Sequence, residues 1–246
     1  MEWRERDGVR WLGCTLPGAE VAFSTRIGGR SAAPYDTLNL GVLTGDSEPD
    51  VRDNRARLSA ALGLEAERIA IARQVHEADV LAHPAPQEPA PWATAGIDPP
   101  VADGHRTEVE GLALLVFVAD CLPIAVSDGE SVAMLHGGWR PLAAGIVDRG
   151  TAGMDGGLAV IGPGIGPCCF EVGPEVLEAF ADLGPGIAEG RMLDLPEVAS
   201  RLLQRAGVEV AERAELCTRC NPELFFSHRG QGPDTGRQGG LAWRTA

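Results

Sequence analysis

The sequence predicts an α/β (α+β) fold, with mixed sheets and flanking helices in one domain over residues 1–246. Three observations carry that expectation. Short apolar, β-branched runs alternate with stretches of helical character. Glycine clusters stand at the corners between them, and no repeat of solenoid length recurs along the chain. A composition of 44% hydrophobic and 23% charged residues leaves enough apolar mass for a core and excludes wholesale disorder.

Taken in order, residues 21–25 form the first expected strand, and Gly28-Gly29 follows as a corner where backbone can approach a ligand. A helix is expected at 51–62 and a strand at 69–75. The proline-dense stretch from about 82 to 100 reads as an extended surface loop within the domain, not a linker between domains. Apolar runs at 113–118, 124–127, 132–136 and 158–161 predict four more strands, with corners at Gly137-Gly138 and Gly162-Pro163-Gly164. Helices follow at 174–183 and 196–206. In each, a proline opens the first helical position and a glycine, Gly184 or Gly207, stands where the chain must leave the helix.

Charge narrows the function. Lys plus Arg sum to 21 and Asp plus Glu to 35, a net charge of −14, and every cation is an arginine. Without lysine there is no Schiff base and no Walker-type phosphate loop. A strongly acidic chain does not suit nucleic-acid backbones, so a bound anion must be met locally by arginine forks and backbone amides. No apolar run is long enough to span a bilayer, and Met1 to Arg10 is polar, unlike a signal peptide. Six irregularly spaced cysteines do not resemble a secreted disulfide framework, and a cytoplasmic protein with reduced thiols is expected.

The most informative stretch runs from Ala119-Asp120-Cys121-Leu122-Pro123 through Asp128-Gly129-Glu130-Ser131 to His136. Asp-Gly between two apolar runs signals a hairpin. With Gly129-Glu130 as its two-residue loop, Pro123 faces His136 and Cys121 lies diagonally beside His136 on the same face. A loop one residue longer would put the two on opposite faces. A thiolate and an imidazole converging there are either two zinc ligands or a Cys–His nucleophilic pair. His76 ends another expected strand, and a third ligand from there would complete an open three-ligand zinc site. His83 and His105 are weaker candidates. Cys217-x-x-Cys220 has no second pair of that spacing, so it reads as two thiols or a redox pair; adjacent Cys168 and Cys169 are expected to pack.

An ordered series of motifs then appears: Ser24-Thr25-Arg26-x-Gly28-Gly29, Asn39-Leu40-Gly41, Asn54-Arg55, Gln74-Val75-His76, Ala102-Asp103, Asp120-Cys121-Leu122-Pro123 and His136-x-Gly138-Trp139-Arg140. Gly162-Pro163-x-Ile165-Gly166, Phe170-Glu171-Val172-Gly173, Cys217-Thr218, Phe225-Phe226-Ser227-His228-Arg229 and Thr235-Gly236-Arg237-Gln238 complete it. Over about residues 20 to 240 the chain resembles the YfiH/laccase-domain family. The resemblance implies a YfiH-like fold and a zinc site on His76, Cys121 and His136. It also implies phosphorolysis of adenosine, inosine, guanosine and methylthioadenosine, together with adenosine deamination. One position departs: Pro141 stands where the family usually has glycine, so this turn lacks an amide for an anion.

On that reading His76, Cys121 and His136 hold the metal, and Asp120 either shuttles protons or holds the Cys121 turn through backbone amides. Arg55, Arg229 and Arg26, with Asn39 and the Gly28-Gly29 amides, are the candidates for phosphate. Copper suits the chain less: multicopper oxidation needs sites rich in His-x-His pairs, and this chain has five histidines and no such pair. Two other classes stay open. One is a metal-free hydrolase of peptidoglycan precursors, with Cys121 as nucleophile and His136 as base. The other is a nucleoside-binding module without turnover.

Overall fold

Turn chemistry shapes the first third of the chain. Asp7 and Gly8 both take positive φ (52° and 78°), the twist a tight hairpin demands, and so join β1 (Glu2–Arg6) to β2 (Val9–Leu16). Gly18 turns β2 back into β3 (Ala19–Ser24). The computed structural model describes residues 1–245. After β3 come α1 (Glu48–Leu62), β4 (Ile69–Ala70), β5 (Val80–His83), β6 (Gly104–Thr107) and β7 (Ala113–Val118). The hairpin β8 (Leu122–Ser127) and β9 (Val132–Gly137) leads to α2 (Trp139–Ala143), α3 (Ile146–Gly150) and β10 (Leu158–Ile161). The last third holds α4 (Pro174–Ala179), the short pair β11 (Ala188–Glu189) and β12 (Met192–Leu193), and α5 (Leu195–Arg205). β13 (Glu209–Arg213), α6 (His228–Gln231) and β14 (Gln238–Arg244) complete the chain.

Two six-stranded mixed sheets result, ordered β1-β2-β3-β14-β7-β4 and β13-β10-β8-β9-β6-β5. Most neighbours are antiparallel; β4–β7, β5–β6 and β10–β13 are parallel. The sheets pack face to face on alternating side chains of both, among them Val21, Phe23, Val116 and Val118 against Ala125, Met134 and Val160. The outer face of the first sheet is covered by α1 through Leu58 and Ala61. The outer face of the second is covered by α2 to α5, where Leu142, Ile146, Val198 and Leu203 meet Ile124, Val126 and Leu135. The expected α+β class with mixed sheets and flanking helices is what forms. No helix is long and apolar enough to cross a membrane among the described residues.

Several element boundaries differ from the sequence expectation, each for a local reason. The strand expected at 69–75 stops at Ala70, because the amide and carbonyl of Ile71 are taken by the Gln87 side chain and not by a neighbouring strand. The helix expected at 174–183 ends at Ala179 and finishes as a separate 3₁₀ turn, Ala181–Leu183. α5 starts one residue before Pro196, since Asp194 caps it by accepting from the Glu197 amide. Pro141 falls on the third residue of α2. Residues 84–100 carry no helix or strand, yet Ala90 and Trp92 are buried, and Trp92 Nε1 donates to Ser59 Oγ on α1 at 3.0 Å.

The sheets approach closely beside the β8–β9 strand pair. A Cβ on Gly240 of β14 would stand 2.3 Å from Cβ of Pro123 on β8, the residue paired with His136. A proline ring cannot swing aside, so Gly240→Ala should force the sheets apart. Overpacking of this kind costs ~1–3 kcal/mol. Urea unfolding should show a lower midpoint at an unchanged slope.

Candidate functional site

The β8–β9 hairpin keeps one register throughout, with Leu122 opposite Gly137, Pro123 opposite His136 and Ser127 opposite Val132. Gly129 at φ 97° makes the turn, and Asp128 Oδ1 accepts the amides of Glu130 and Ser131. Cys121 and His136 therefore share the inter-sheet face, as the parity of a two-residue loop requires. His76 arrives from the loop after β4. Donor atoms of His76, Cys121 and His136 all lie within 4.8 Å of one another. The two imidazoles meet edge to face, centroids 4.8 Å apart at 68°, so neither ring blocks the other's nitrogen.

Backbone strain marks the spot. Only Asp7, His76 and Asp120 take positive φ among the described residues other than glycine; His76 (62°) belongs to the cluster and Asp120 (89°) directly precedes Cys121. Such conformations persist only where surroundings over-determine them. For His76 the surroundings are one fully buried carboxylate. Asp103 accepts the amides of Val75 (3.0 Å), His76 (2.9 Å) and Glu77 (2.9 Å), and Nδ1–H of His136 donates to it at 2.7 Å. That last bond leaves Nε2 of His136 free to face the cluster. For Asp120 the restraint is its own side chain: Oδ1 accepts from Thr218 Oγ1 and Oδ2 from the Arg229 amide, both at 2.6 Å. Its carbonyl accepts from the Ile165 amide at 2.8 Å. Both carboxylate oxygens are thus engaged in placing the Cys121 turn.

Electrostatics couple the pair. Burial pushes the Cys121 thiol up, but the neighbouring His136 charge and hydrogen bonds from His136 and His76 outweigh it and bring its pKa down to about 6. Burial alone would keep His136 neutral, yet attraction to Cys121 and hydrogen bonds to Asp103 and Cys121 lift it to about 9. Each group thereby favours the charged form of the other.

The cluster forms one wall of a cleft of about 440 Å³. Arg55, Arg73, Arg140, Arg229 and Arg237 line it, and none of the five makes an ion pair among the described residues. Arg55 is buried over the rings of Trp92 (4.6 Å) and Phe117 (5.5 Å), and donates only to the carbonyls of Leu40 and Pro91. Burial alone pulls its pKa down to about 10. Arg237 is likewise pulled down by burial, against attraction to Cys121 and Asp120. A buried cation without a counter-charge is costly unless an anion shares the cleft.

Two of the expected phosphate residues stand elsewhere. Arg26 is paired with Asp36 at 3.0 Å, donates to the Pro222 carbonyl and stacks on Phe226, so it ties two loops together. Asn39 is fully buried and braces the 39–46 loop, accepting from the amides of Gly41 and Arg237 and donating to Asp46. The Gly29 amide is spent on Thr37 Oγ1. His83 and His105 form their own buried pair at 2.9 Å, with His105 pushed down to about 3, chiefly by burial. Sequence reasoning passed over Asp103 and Arg237, both present in the quoted motifs, because nothing local shows that an acid will sit under two histidines.

The sequence profile of the family described as multi-copper polyphenol oxidoreductase laccase matches residues 20–245. The chain belongs to this YfiH/laccase-domain family. It is 36% identical to purine nucleoside phosphorylase YfiH of Escherichia coli K12, over 92% of this chain and 94% of the relative. It is 34% identical to purine nucleoside phosphorylase SCO2081 of Streptomyces coelicolor, over 93% and 97%. The crystal structure of YlmD from Geobacillus stearothermophilus superposes with a TM-score of 0.87 at 31% identity, covering 99% of this chain and 98% of that one.

Within this YfiH/laccase-domain protein Asp103 orients the His136 ring and holds the strained His76 backbone together. Loss of such a partner typically weakens metal affinity about 10–100-fold. Asp103→Asn should show that loss in a competition titration against a chromophoric chelator, with His136 still present.

Proposed function

We propose that this chain is a zinc-dependent purine nucleoside enzyme, which phosphorolyses adenosine, inosine, guanosine and methylthioadenosine and also deaminates adenosine. One observation carries the reading. A three-donor N₂S cluster opens into a cleft lined by five arginines without ion-pair partners, in a chain of net charge −14. The names of the relatives support the purine nucleoside class. Six free cysteines suit a reducing, cytoplasmic setting.

The donor set fits zinc. Imidazole and thiolate are both ligand types that zinc takes, three protein donors are the number its catalytic sites use, and five histidines without a His-x-His pair do not suit a multicopper centre. His76, Cys121 and His136 would hold the ion, and zinc bound there would supply Lewis acidity towards a reactant oxygen, that of phosphate in phosphorolysis or of water in deamination. The remaining work belongs to the chain. Arg55 and Arg237 approach the cleft from the first sheet's side, and Arg229 from the start of α6. Guanidinium forks hold phosphate in a fixed orientation for attack on ribose C1′, and the leaving purine takes up a proton. Phe117, Trp139 and Phe170 offer apolar walls for the base and sugar. Asp120, with both oxygens engaged, acts by positioning Cys121 and Arg229.

Adenosine and inorganic phosphate incubated with the purified protein should yield adenine and ribose 1-phosphate, with inosine and hypoxanthine as deamination products, by chromatography. His76→Ala should remove about one zinc per chain and abolish both activities. Nucleoside retention without any turnover would instead make the chain a binding module. Arg55→Gln should raise KM for phosphate about 10- to 100-fold, matching the ~1.5–3 kcal/mol of a charge-assisted hydrogen bond, with a far smaller effect on KM for the nucleoside.

A second reading has its own support. Cys121, His136 and Asp103 make a Cys–His–Asp chain, with the thiol already pulled down to about 6. That arrangement suits a hydrolase of amide bonds such as those of peptidoglycan precursors. Full activity after chelator treatment, abolished by thiol alkylation, would favour it over the zinc reading.

A further inference from the structure

Four cysteines lie outside the cleft just described. Cys168 and Cys169 follow the Gly162–Gly166 turn, and Cys217 and Cys220 sit on the turn after β13, about fifty residues further along. The fold brings these turns side by side: the Thr218 amide donates to the Gly164 carbonyl at 2.9 Å, and Gly164 bridges to Cys217. All four sulfurs lie within 4.8 Å of one another, with Cys169 to Cys220 at 3.4 Å and Cys168 to Cys220 at 3.6 Å.

Those separations discriminate between the two chemistries available to clustered thiols. A disulfide needs sulfurs about 2.05 Å apart and draws them together in pairs. Four thiolates around a tetrahedral zinc, each about 2.3 Å from the metal, stand about 3.8 Å from one another. The cluster is near the second value, and no pair is near the first. The second pair that Cys217-x-x-Cys220 lacks in sequence is supplied in space by Cys168-Cys169. A backbone donor completes the pattern. The amide of Gly166 points at the Cys217 sulfur. A Cβ on Gly166 would stand 3.3 Å from Cβ of Cys217 and 3.5 Å from the Cys168 sulfur, so the close approach of that amide uses the glycine.

We propose that Cys168, Cys169, Cys217 and Cys220 bind a second zinc ion as a structural tetrathiolate site, separate from the His76–Cys121–His136 cluster. The thiol protons pass to solvent as the metal binds, and no electrons are exchanged. The site staples together the two turns that hold Asp120. Thr218, between the two ligands of its turn, donates its hydroxyl to the Asp120 carboxylate, and Ile165 donates its amide to the Asp120 carbonyl. The ion would thus stabilise the strained turn that presents Cys121 without touching any reactant.

The test uses the full-length protein purified without chelator from zinc-supplemented medium. Elemental analysis should give two zinc ions per chain. His76→Ala/His136→Ala should lower this to one, while Cys217→Ser/Cys220→Ser should also lower it to one, with the first site kept. Differential alkylation read by mass spectrometry needs no substitution. The four cysteines should be protected in the native protein and labelled once a chelator is added, in wild type and in the His76→Ala/His136→Ala chain alike. Cobalt exchange into that double-histidine variant should give the intense visible bands of a tetrahedral all-thiolate site. Labelling of all four as fast before chelation as after, or a disulfide among them in freshly purified protein, would overturn the proposal and leave the purine reading untouched. Loss of the N₂S metal with the four thiols still protected would do the reverse.

Discussion

A single buried carboxylate holds the candidate centre in shape. Asp103 has no exposed surface and accepts from three consecutive amides and one imidazole. It sits where β6 begins, and the backbone nitrogen of His136 donates back to its carbonyl at 2.9 Å. Sheet and loop are therefore locked to one another at the point where the donors converge. A buried anion normally incurs a large desolvation penalty; here four donors offset it, and the Asp103 carboxyl stays below the ordinary range despite burial, helped by the His136 bond and the amides of Glu77 and Val75. The restraint explains why His76 can keep a left-handed backbone that a β-strand continuation would have avoided.

The cleft inverts the charge balance of the molecule. Elsewhere arginines mostly meet carboxylates: Arg201 and Arg213 share Glu197, Arg30 and Arg57 share Asp53, and Arg149 meets Asp79. In the cleft the same residue type faces carbonyls and aromatic rings instead. Arg55 over Trp92 and Phe117, Arg140 over Trp139 and Arg229 over Phe170 all keep their charge without neutralising it. Aromatic faces support a guanidinium while leaving its fork open, which a carboxylate partner would occupy.

What the sequence revealed depended on how local the signal was. The Cys121–His136 relation was legible because a two-residue hairpin fixes parity, and parity alone places both residues on one face. Strands β7 to β10 were legible as continuous apolar runs, since they are buried on both faces. β1, β13 and much of β14 were not: Glu2–Arg6 and Glu209–Arg213 are edge strands with charged, exposed side chains, and Gln238-Gly239-Gly240 looks like a loop until the second sheet packs on it. Arg26 and Arg229 are equally plausible phosphate ligands in sequence. Only the fold shows that one has Asp36 and the other has none. The Cys168-Cys169 pairing with Cys217 and Cys220 depends on two loops meeting across half a hundred residues, a relation no local pattern encodes.

Asp120 joins these parts. Its backbone leads into Cys121, its carbonyl takes the amide of Ile165, and its two carboxylate oxygens take Thr218 and the first turn of α6 at Arg229. One side chain therefore sets three things together: the position of the candidate metal-binding sulfur, the seat of a cleft arginine and the contact to the cysteine-bearing turns. A carboxylate can accept from the Thr218 hydroxyl and the Arg229 amide at once, and it must be short, because a longer side chain would release the turn. Its left-handed φ of 89° is kept because three hydrogen bonds oppose relaxation. Displacement of any one of them shifts the Cys121 sulfur and the seat of Arg229 together, so donor geometry and the position of a cleft arginine are coupled through a residue that need not itself transfer a proton.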